Sequence, residues 1–290
     1  MTDFQKQIKE LVDEGLAVSE ISKKLGHPMS SVSSVIKALK LKVRKNLNTN
    51  DLDHNFFDII NSEEKAYFLG FLIADGSISN GNKRSEGRIS FLIQDTDRYI
   101  LEKLKLCIKS KNTIYTKTNN KGAKNRKPQA SFRWTSKHMT NTLKDRYGII
   151  SNKTANIGFS FNMDLIPDDL KGSFIRGFID GDGSFESHKG IFTPSIVGTS
   201  KTWLTQVGDL VSQQTGLIYK IYENKGKTCN YYTLRWSADK VDKVDKIKRL
   251  YEFLYNNATI YLTRKRDKIA SYLKYRANQI RVKGIWQCRA

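Results

Sequence analysis

One twelve-residue pattern occurs twice in this 290-residue chain, at residues 67–78 and again at 174–185. In both copies an apolar start is followed by a glycine, further apolar residues, Asp-Gly-Ser and an apolar end. After each copy the patterning predicts the same order of strands and helices. An internal repeat indicates a duplicated folding unit. We therefore predict an α+β fold in which two αββαββα units are related by a pseudo-twofold axis, with the repeats at 63–160 and 161–290.

The predicted elements after the two patterns correspond one to one. In the first unit they are strands 88–94, 113–118 and 130–134 and helices 99–108 and 137–147; in the second they are strands 191–198, 217–223 and 230–236 and helices 203–215 and 239–255.

Residues 1–46 have a different pattern, with apolar residues at helical spacing that predict three short helices. Gly26-His27-Pro28 separates the second helix from the third, because proline cannot continue the preceding helix. This arrangement is typical of a helix-turn-helix, whose last helix enters the DNA major groove. A three-helix packing module without a DNA role is the alternative. Residues 47–62 are predicted to be a linker. The candidate DNA contacts in the third helix are Ser30, Ser31, Ser34 and Lys37.

Gly70 and Gly177 lie in the middle of the two apolar motif helices. Glycine costs a helix interior about 1 kcal/mol relative to alanine, and close backbone approach between helices is the usual reason for it. If the helices pack through these glycines, Asp75 and Asp182 become neighbours. Two such carboxylates repel unless a cation lies between them, and Asp with carbonyl oxygens suits Mg²⁺. The alternative is that Asp-Gly-Ser only ends a helix and turns the chain into a strand.

The charge balance indicates a polyanionic partner. Lys and Arg number 50 against 29 Asp and Glu, which gives a net charge of +21 and favours nucleic acid. Residues 117–127 form a basic loop between two predicted strands, and alternation along the strands places other basic residues on one face. A solvated charged face is the alternative. The candidate DNA contacts are Arg88, Lys117, Lys121, Lys124, Arg126, Lys127, Arg133, Lys220, Lys225 and Arg235.

Several classes of protein are excluded by the same sequence. The three cysteines and four histidines are scattered, so the sequence encodes neither a disulfide framework nor a zinc site. No apolar run is long enough to span a bilayer, and the N-terminus lacks the apolar stretch of a secretory signal. We therefore expect a soluble intracellular protein of the cytoplasm, nucleoid or an organelle matrix, neither secreted nor bound to a membrane.

The doubled motif strongly resembles that of the LAGLIDADG homing endonucleases, in the single-chain form with two motifs. Residues 68–76 and 175–183 occupy its nine positions. The resemblance implies that Asp75 and Asp182 bind the metal, with carbonyl ligation from Ala74 and Gly181, and that the strands form a saddle on DNA. The first copy has Ile73 at the sixth position, where the second retains an acid; this position is not a metal ligand in the family.

The family also places a basic residue near the scissile phosphates, late in each repeat. Lys153 and Lys265 occupy comparable positions here. An exposed phosphate-contacting or solvated lysine is an equal alternative for each. Gln94, at the end of a strand leading back toward the metal site, is a candidate for organising solvent, with an ordinary polar strand end as the alternative.

The sequence as a whole predicts a monomeric homing endonuclease that makes a Mg²⁺- or Mn²⁺-dependent double-strand break in a long DNA target. The resemblance implies a role in intron homing or the mobility of a free-standing gene. Double-stranded DNA is the expected partner, and intron RNA stays open as a second. A DNA-binding regulator or RNA-splicing maturase that uses the scaffold without cutting is the alternative. Retention of both Asp75 and Asp182 argues against it.

Overall fold

A computed structural model describes residues 1–43, 52–79, 87–118, 127–151, 158–188, 191–226, 229–237 and 243–287, without the side chains of residues 188 and 280–287. The chain forms two compact units, Met1–Leu52 and Asp53–Ala290. Among the helices in these described ranges, none has both the length and the apolar character needed to cross a bilayer.

The smaller unit contains the three expected helices, α1 (Asp3–Asp13), α2 (Val18–Leu25) and α3 (Met29–Ala38). Thr2 and Gln5 form a capping box that fixes the start of α1. Gly26 ends α2 with a φ of 67°, a conformation that glycine adopts without a steric cost. Apolar side chains from all three helices form one small core; its buried members are Ile8, Leu11, Val12, Ile21 and Val32.

The larger unit contains the αββαββα order twice, which confirms the predicted fold class. The first copy consists of α4 (Glu63–Asp75), β1 (Gly76–Ser79), β2 (Arg88–Gln94), α5 (Arg98–Cys107), β3 (Tyr115–Lys117), β4 (Gln129–Thr135) and α6 (Lys137–Asp145). The second consists of α7 (Lys171–Asp182), β5 (Gly183–His188), β6 (Ile191–Gly198), α8 (Lys201–Thr215), β7 (Ile218–Asn224), β8 (Tyr231–Ser237) and α9 (Lys243–Tyr255). A final helix, α10 (Thr263–Gln287), follows.

Each copy forms one four-stranded sheet, with the orders β1-β2-β4-β3 and β5-β6-β8-β7. All neighbouring strands are antiparallel. Side chains alternate between a buried and a more exposed face, as in β2, where Ile89, Phe91 and Ile93 are buried. The buried faces pack on helices, including α5 in the first copy and α8 in the second. Each sheet therefore keeps one open face.

Part of the predicted linker belongs to the core of the larger unit. Phe56, Phe57 and Ile60 are buried, and the Tyr147 hydroxyl donates a 2.8 Å hydrogen bond to the Phe57 carbonyl. The segment lacks an apolar period because it forms turns rather than a helix or strand. A short irregular segment can still bury aromatic side chains.

Helix α10 was not among the predicted elements. Its buried side chains include Lys265, Ile269 and Tyr272, and the Tyr272 ring stacks on that of Phe192 in β6. The many basic residues of α10 leave only a narrow apolar stripe, and one of its buried positions is a lysine.

Candidate active site and nucleic-acid interface

The two motif helices, α4 and α7, contact each other through their glycines. A Cβ atom at Gly70 would lie 2.0 Å from the Phe174 carbonyl oxygen, and one at Gly177 would lie 2.0 Å from the Tyr67 carbonyl oxygen. Both distances are far below van der Waals contact, so only glycine permits this approach at either position. The reciprocal contacts have the pattern expected of a twofold pair.

This packing brings the C-terminal ends of the helices together. Asp75 and Asp182 are the last residues of α4 and α7, and both are exposed. A Cβ atom at Gly181 would lie 2.2 Å from the Ala74 Cβ and 3.4 Å from the Asp75 Oδ2. Asp182 in turn lines a cavity together with Ala74. The Asp75 carboxylate therefore lies beside Gly181, and Asp182 faces the same cavity as Ala74.

The electrostatics of this junction favour a cation. A helix C-terminus carries partial negative charge from its free carbonyl groups, and here two such ends each add a carboxylate. Aspartate and carbonyl oxygens are the ligands that hard divalent cations prefer. In the described part of the chain, no third His, Cys, Asp or Glu completes a cluster with them. The donor set fits Mg²⁺ or Mn²⁺ if backbone carbonyls, water or substrate oxygens supply the remaining ligands.

Lys265 lies within the same junction, but it is almost fully buried. Its ammonium group donates hydrogen bonds to the carbonyl oxygens of Ile179 and Asp180, both at 2.6 Å, and of Gly183 at 2.7 Å. These bonds satisfy carbonyls at the end of α7. Burial lowers the pKa of Lys265 to about 8, opposed first by the charge of Asp180 and also by those of Asp75 and Asp182. The lysine therefore lies within electrostatic reach of both candidate ligands.

Asp180, the acid at the sixth motif position, has a buried anchoring role. Its Oδ2 accepts hydrogen bonds from the Leu262 backbone N–H at 2.7 Å and from the Tyr67 hydroxyl at 2.9 Å. Burial raises the pKa of Asp180 to about 6, and the nearby charge of Lys265 acts in the opposite direction. Asp180 thus ties the segment before α10 to both motif helices.

A second buried contact supports the same segment. Arg176 of α7 donates hydrogen bonds to the Ile260 carbonyl at 2.8 Å, to Glu63 of α4 at 2.6 Å and to the Leu254 carbonyl. The Glu63 carboxylate also accepts from the Thr259 N–H at 2.8 Å. The turn between α9 and α10 is therefore fixed against both copies, and it positions the start of the helix that carries Lys265.

These anchoring contacts were not predicted from the sequence. Glu63 is the first residue of α4, and Arg176 is a charged position within the otherwise largely apolar α7. The available signal was the arginine itself, since a charged residue in an otherwise apolar helix must be paired when it is buried. Its partner could not be deduced because it lies in the other copy of the repeat.

Of the two remaining candidate catalytic residues, the structure describes Gln94 but not Lys153. Gln94 ends β2 opposite Gln129 of β4, with an exposed side chain. Lys153 falls outside the described residues. The roles of both stay predictions.

The candidate DNA contacts on the sheets lie on the open faces. In the first sheet Arg133 is exposed and Arg88 is half-buried; in the second, Lys220 and Arg235 are exposed and lie opposite each other in β7 and β8. The side chains of Lys117, Lys127 and Lys225, at or beyond strand ends, are also exposed. Lys121, Lys124 and Arg126 fall outside the described residues.

The candidate contacts of the small unit are solvent-exposed on α3. They are Ser30, Ser31, Ser34 and Lys37. The Ser34 hydroxyl donates a 2.9 Å hydrogen bond to the Ser30 carbonyl, which leaves its oxygen able to accept from a further donor.

Comparisons with known proteins agree with this architecture. Residues 169–249 match the LAGLIDADG-like domain family, which confirms the resemblance predicted from the doubled motif. This part of the chain is therefore a LAGLIDADG-like domain, and it contains α7, with the second motif, and both β-hairpins of the second sheet. A comparison with curated protein sequences gave no match.

The solved structures similar to the chain include two homing endonucleases and a WhiA domain. The homing endonuclease I-WcaI bound to its DNA recognition sequence is 13% identical, over 80% of this chain and 96% of that one, with a TM-score of 0.48. I-DmoI in complex with DNA and Mn is 19% identical, over 67% and 97%, with a TM-score of 0.42. The N-terminal LAGLIDADG domain of DUF199/WhiA is 16% identical, over 78% and 97%, with a TM-score of 0.41.

Proposed function

We propose that the protein is a divalent-metal-dependent DNA endonuclease that cuts both strands of a long, specific duplex site. The observation that supports this most directly is the junction of α4 and α7, where the Asp75 carboxylate lies beside Gly181 and Asp182 lies at the adjoining helix end. A scaffold that only bound DNA would not need two acidic groups converging at a helix seam.

Asp75 and Asp182 would hold Mg²⁺ or Mn²⁺ together with the carbonyl oxygens of Ala74 and Gly181. A bound divalent cation supplies Lewis-acid stabilisation of negative charge on a phosphate. The open faces of the two sheets would bind the duplex and orient one phosphodiester of each strand toward the carboxylates. This arrangement accounts for the basic residues on both faces.

The lysines would contribute positive charge beside the scissile phosphates. Lys265 is held by the carbonyls of α7, so its contribution is electrostatic and positional, with no free side-chain movement required. Lys153 would have the corresponding role in the first copy, and Gln94 would orient solvent.

The small unit would add contacts outside the core site. We propose that α1–α3 form a helix-turn-helix in which Ser30, Ser31, Ser34 and Lys37 contact DNA. Once one unit is bound, the effective concentration of the other unit at its own site is raised. The whole chain would act as a monomer, because the two copies of the repeat already supply both half-sites. Mobility of an intron or a free-standing gene is the biological role that such an activity would serve.

A cleavage selection on randomised duplexes with Mg²⁺ tests this function. We expect the wild-type protein to cut one family of sequences and to stop cutting when the cation is chelated. Asp75→Asn and Asp182→Asn should each abolish cleavage and leave binding largely intact. Asp145→Asn is the matched control, because Asp145 is also an exposed aspartate at the last position of a helix, α6.

Undiminished cutting by either aspartate variant at the junction would contradict the proposed site. Specific binding by the wild-type protein without cleavage in Mg²⁺ or Mn²⁺ would instead establish the alternative, a regulator or maturase built on the same scaffold.

A further inference from the structure

The open faces of both sheets carry large apolar side chains that are about half exposed to solvent. Leu92 is 44% exposed and Val197 is 46% exposed, while Tyr115 and Tyr222 are 55% and 48% exposed. In a chain with a net charge of +21, polar side chains would suit a face meant only for solvent. Apolar groups grouped on an open face indicate a contact surface.

These side chains occupy equivalent positions in the two sheets. In the first sheet, Leu92 of β2 lies opposite Ser131 of β4, which lies opposite Tyr115 of β3. Directly opposite residues in antiparallel strands share a face. Each such group is therefore one row across the sheet.

The corresponding row in the second sheet has the same chemistry in the same order. Val197 of β6 lies opposite Thr233 of β8, which lies opposite Tyr222 of β7. Both rows thus consist of an aliphatic residue, a hydroxyl residue and a tyrosine.

A second pair of rows matches in the same way and includes an arginine. It consists of Ser77, Ser90 and Arg133 in the first sheet, and of Ser184, Ser195 and Arg235 in the second. The Arg235 guanidinium lies 5.8 Å from the centre of the Tyr222 ring, and Arg133 lines a surface recess together with Tyr115. In both copies the arginine therefore lies beside the tyrosine of the neighbouring row.

Several positions farther from these rows do not match. Arg88 of the first sheet corresponds to Thr193 of the second, and Gln129 corresponds to Tyr231, as the register of the strands requires. The equivalence of side-chain types is therefore not a general property of the duplicated sheets.

The matched rows adjoin the candidate metal ligands. Gly76 pairs with Phe91, and Gly183 pairs with Ile196. Leu92 therefore follows the residue that pairs with Gly76, and Gly76 follows Asp75. In the second copy Val197 and Asp182 line the same cavity. Base pairs contacted by these rows would be the ones nearest to the cut phosphates.

The side-chain types define what they can recognise in a major groove. An aliphatic group contacts the C5-methyl group of thymine, and arginine donates two hydrogen bonds to O6 and N7 of guanine. RNA presents a deep, narrow major groove that side chains do not enter, and uracil lacks the methyl group. Duplex DNA is thus the occupant that fits both rows.

We propose that Leu92 and Val197 each contact a thymine methyl group, and that Arg133 and Arg235 each bind a guanine, at mirror-related positions of the two half-sites. This inference rests on the proposed binding of duplex DNA. It means that the target is palindromic at these central positions and asymmetric outside them.

Binding selection from a randomised duplex library, without divalent cation, tests the inference on the full-length protein. The wild-type profile should show one T·A and one G·C preference in each half, at mirror-related positions. Arg235→Ala should reduce the guanine preference by about 5- to 140-fold in one half only. Arg133→Ala should have the same effect in the other half only. Leu106→Ala is the control for Val197→Ala, because Leu106 is apolar and 76% exposed but lies on α5.

Deoxyuridine provides a second test that is insensitive to folding defects. Replacing the selected thymine by deoxyuridine removes only the methyl group, which should weaken binding of the wild-type and Leu106→Ala proteins about fourfold. The affinity of Val197→Ala should not change when the methyl group is removed from its half-site.

The inference fails if deoxyuridine weakens the binding of the wild-type and Val197→Ala proteins equally. It also fails if the two half-sites prefer unrelated bases at the mirror-related positions. Sequence-specific binding without these preferences would overturn the inference alone. If the wild-type protein selects no duplex at all, the proposed DNA-binding function fails as well.

Discussion

Glycine at positions 70 and 177 determines how closely the two motif helices approach. At each position an added methyl group would meet a backbone carbonyl of the other helix at 2.0 Å. A carbonyl within a helix cannot move aside as a flexible side chain would, so the helices themselves would have to separate. The positions of Asp75 and Asp182 depend on this approach.

Gly177→Ala should therefore destabilise the protein by about 3 kcal/mol, the upper part of the range for overpacked sites. Urea unfolding measures the change. Gly158→Ala is the control, because no atom outside its own neighbourhood lies within 4 Å of a Cβ atom placed there. Equal stability of the two variants would contradict the tight helix contact.

Individual residues of the site could be predicted from the sequence where their spacing alone determines their positions. Gly70, Gly177, Asp75 and Asp182 could be singled out because the motif repeats in register. The hydrogen bonds of Lys265 to the carbonyls at the end of α7 could not be predicted from the sequence, since a lysine in a basic segment is usually exposed.

The turn between α9 and α10 is the element whose position depends most on buried polar contacts. Arg176, Glu63 and Asp180 fix its backbone to α4 and α7. Removing one partner of a buried charged pair leaves the charge of the other uncompensated. The resulting loss of stability is larger than the net contribution of the intact pair to stability.

We expect Arg176→Met to destabilise the protein by about 3 kcal/mol and to increase amide hydrogen exchange at residues 259–262. Lys248→Met is the control, because Lys248 and Glu252 form an ion pair whose side chains are 66% and 54% exposed, and exposed pairs contribute less than about 1 kcal/mol. Unchanged exchange in Arg176→Met would show that the turn is held by other contacts.

The elements that follow a regular period were predictable, and those fixed by tertiary contacts were not. Strand β2 (Arg88–Gln94) and strand β6 (Ile191–Gly198) were predicted with their observed bounds, because apolar and polar side chains alternate along them. Residues 53–60 and helix α10 were missed. Their burial depends on residues far away in sequence, such as Tyr147 for Phe57.

For the whole molecule, the proposed function needs two different surfaces that bind one long polyanion. The larger unit has two sheets with open basic faces, and the smaller unit has exposed polar residues on α3. In the proposed function, the net charge of +21 would strengthen the association of both surfaces with DNA.

Deleting residues 1–46 should weaken binding by at least about 100-fold, because the added site acts through effective concentration. A nuclease-protection footprint should become shorter, while the bases selected near the cut should stay the same. The larger unit keeps its own core in this variant. A footprint of unaltered length would show that α1–α3 do not contact DNA.

The central claim is that Asp75 and Asp182 hold a shared cation beside the double helix. Anomalous diffraction from crystals of the DNA complex grown with Mn²⁺ measures this most directly. We predict an anomalous peak about 2 Å from an oxygen of each carboxylate, next to a backbone phosphate. Peaks only elsewhere in the complex, with the two carboxylates contacting no ion, would contradict the account.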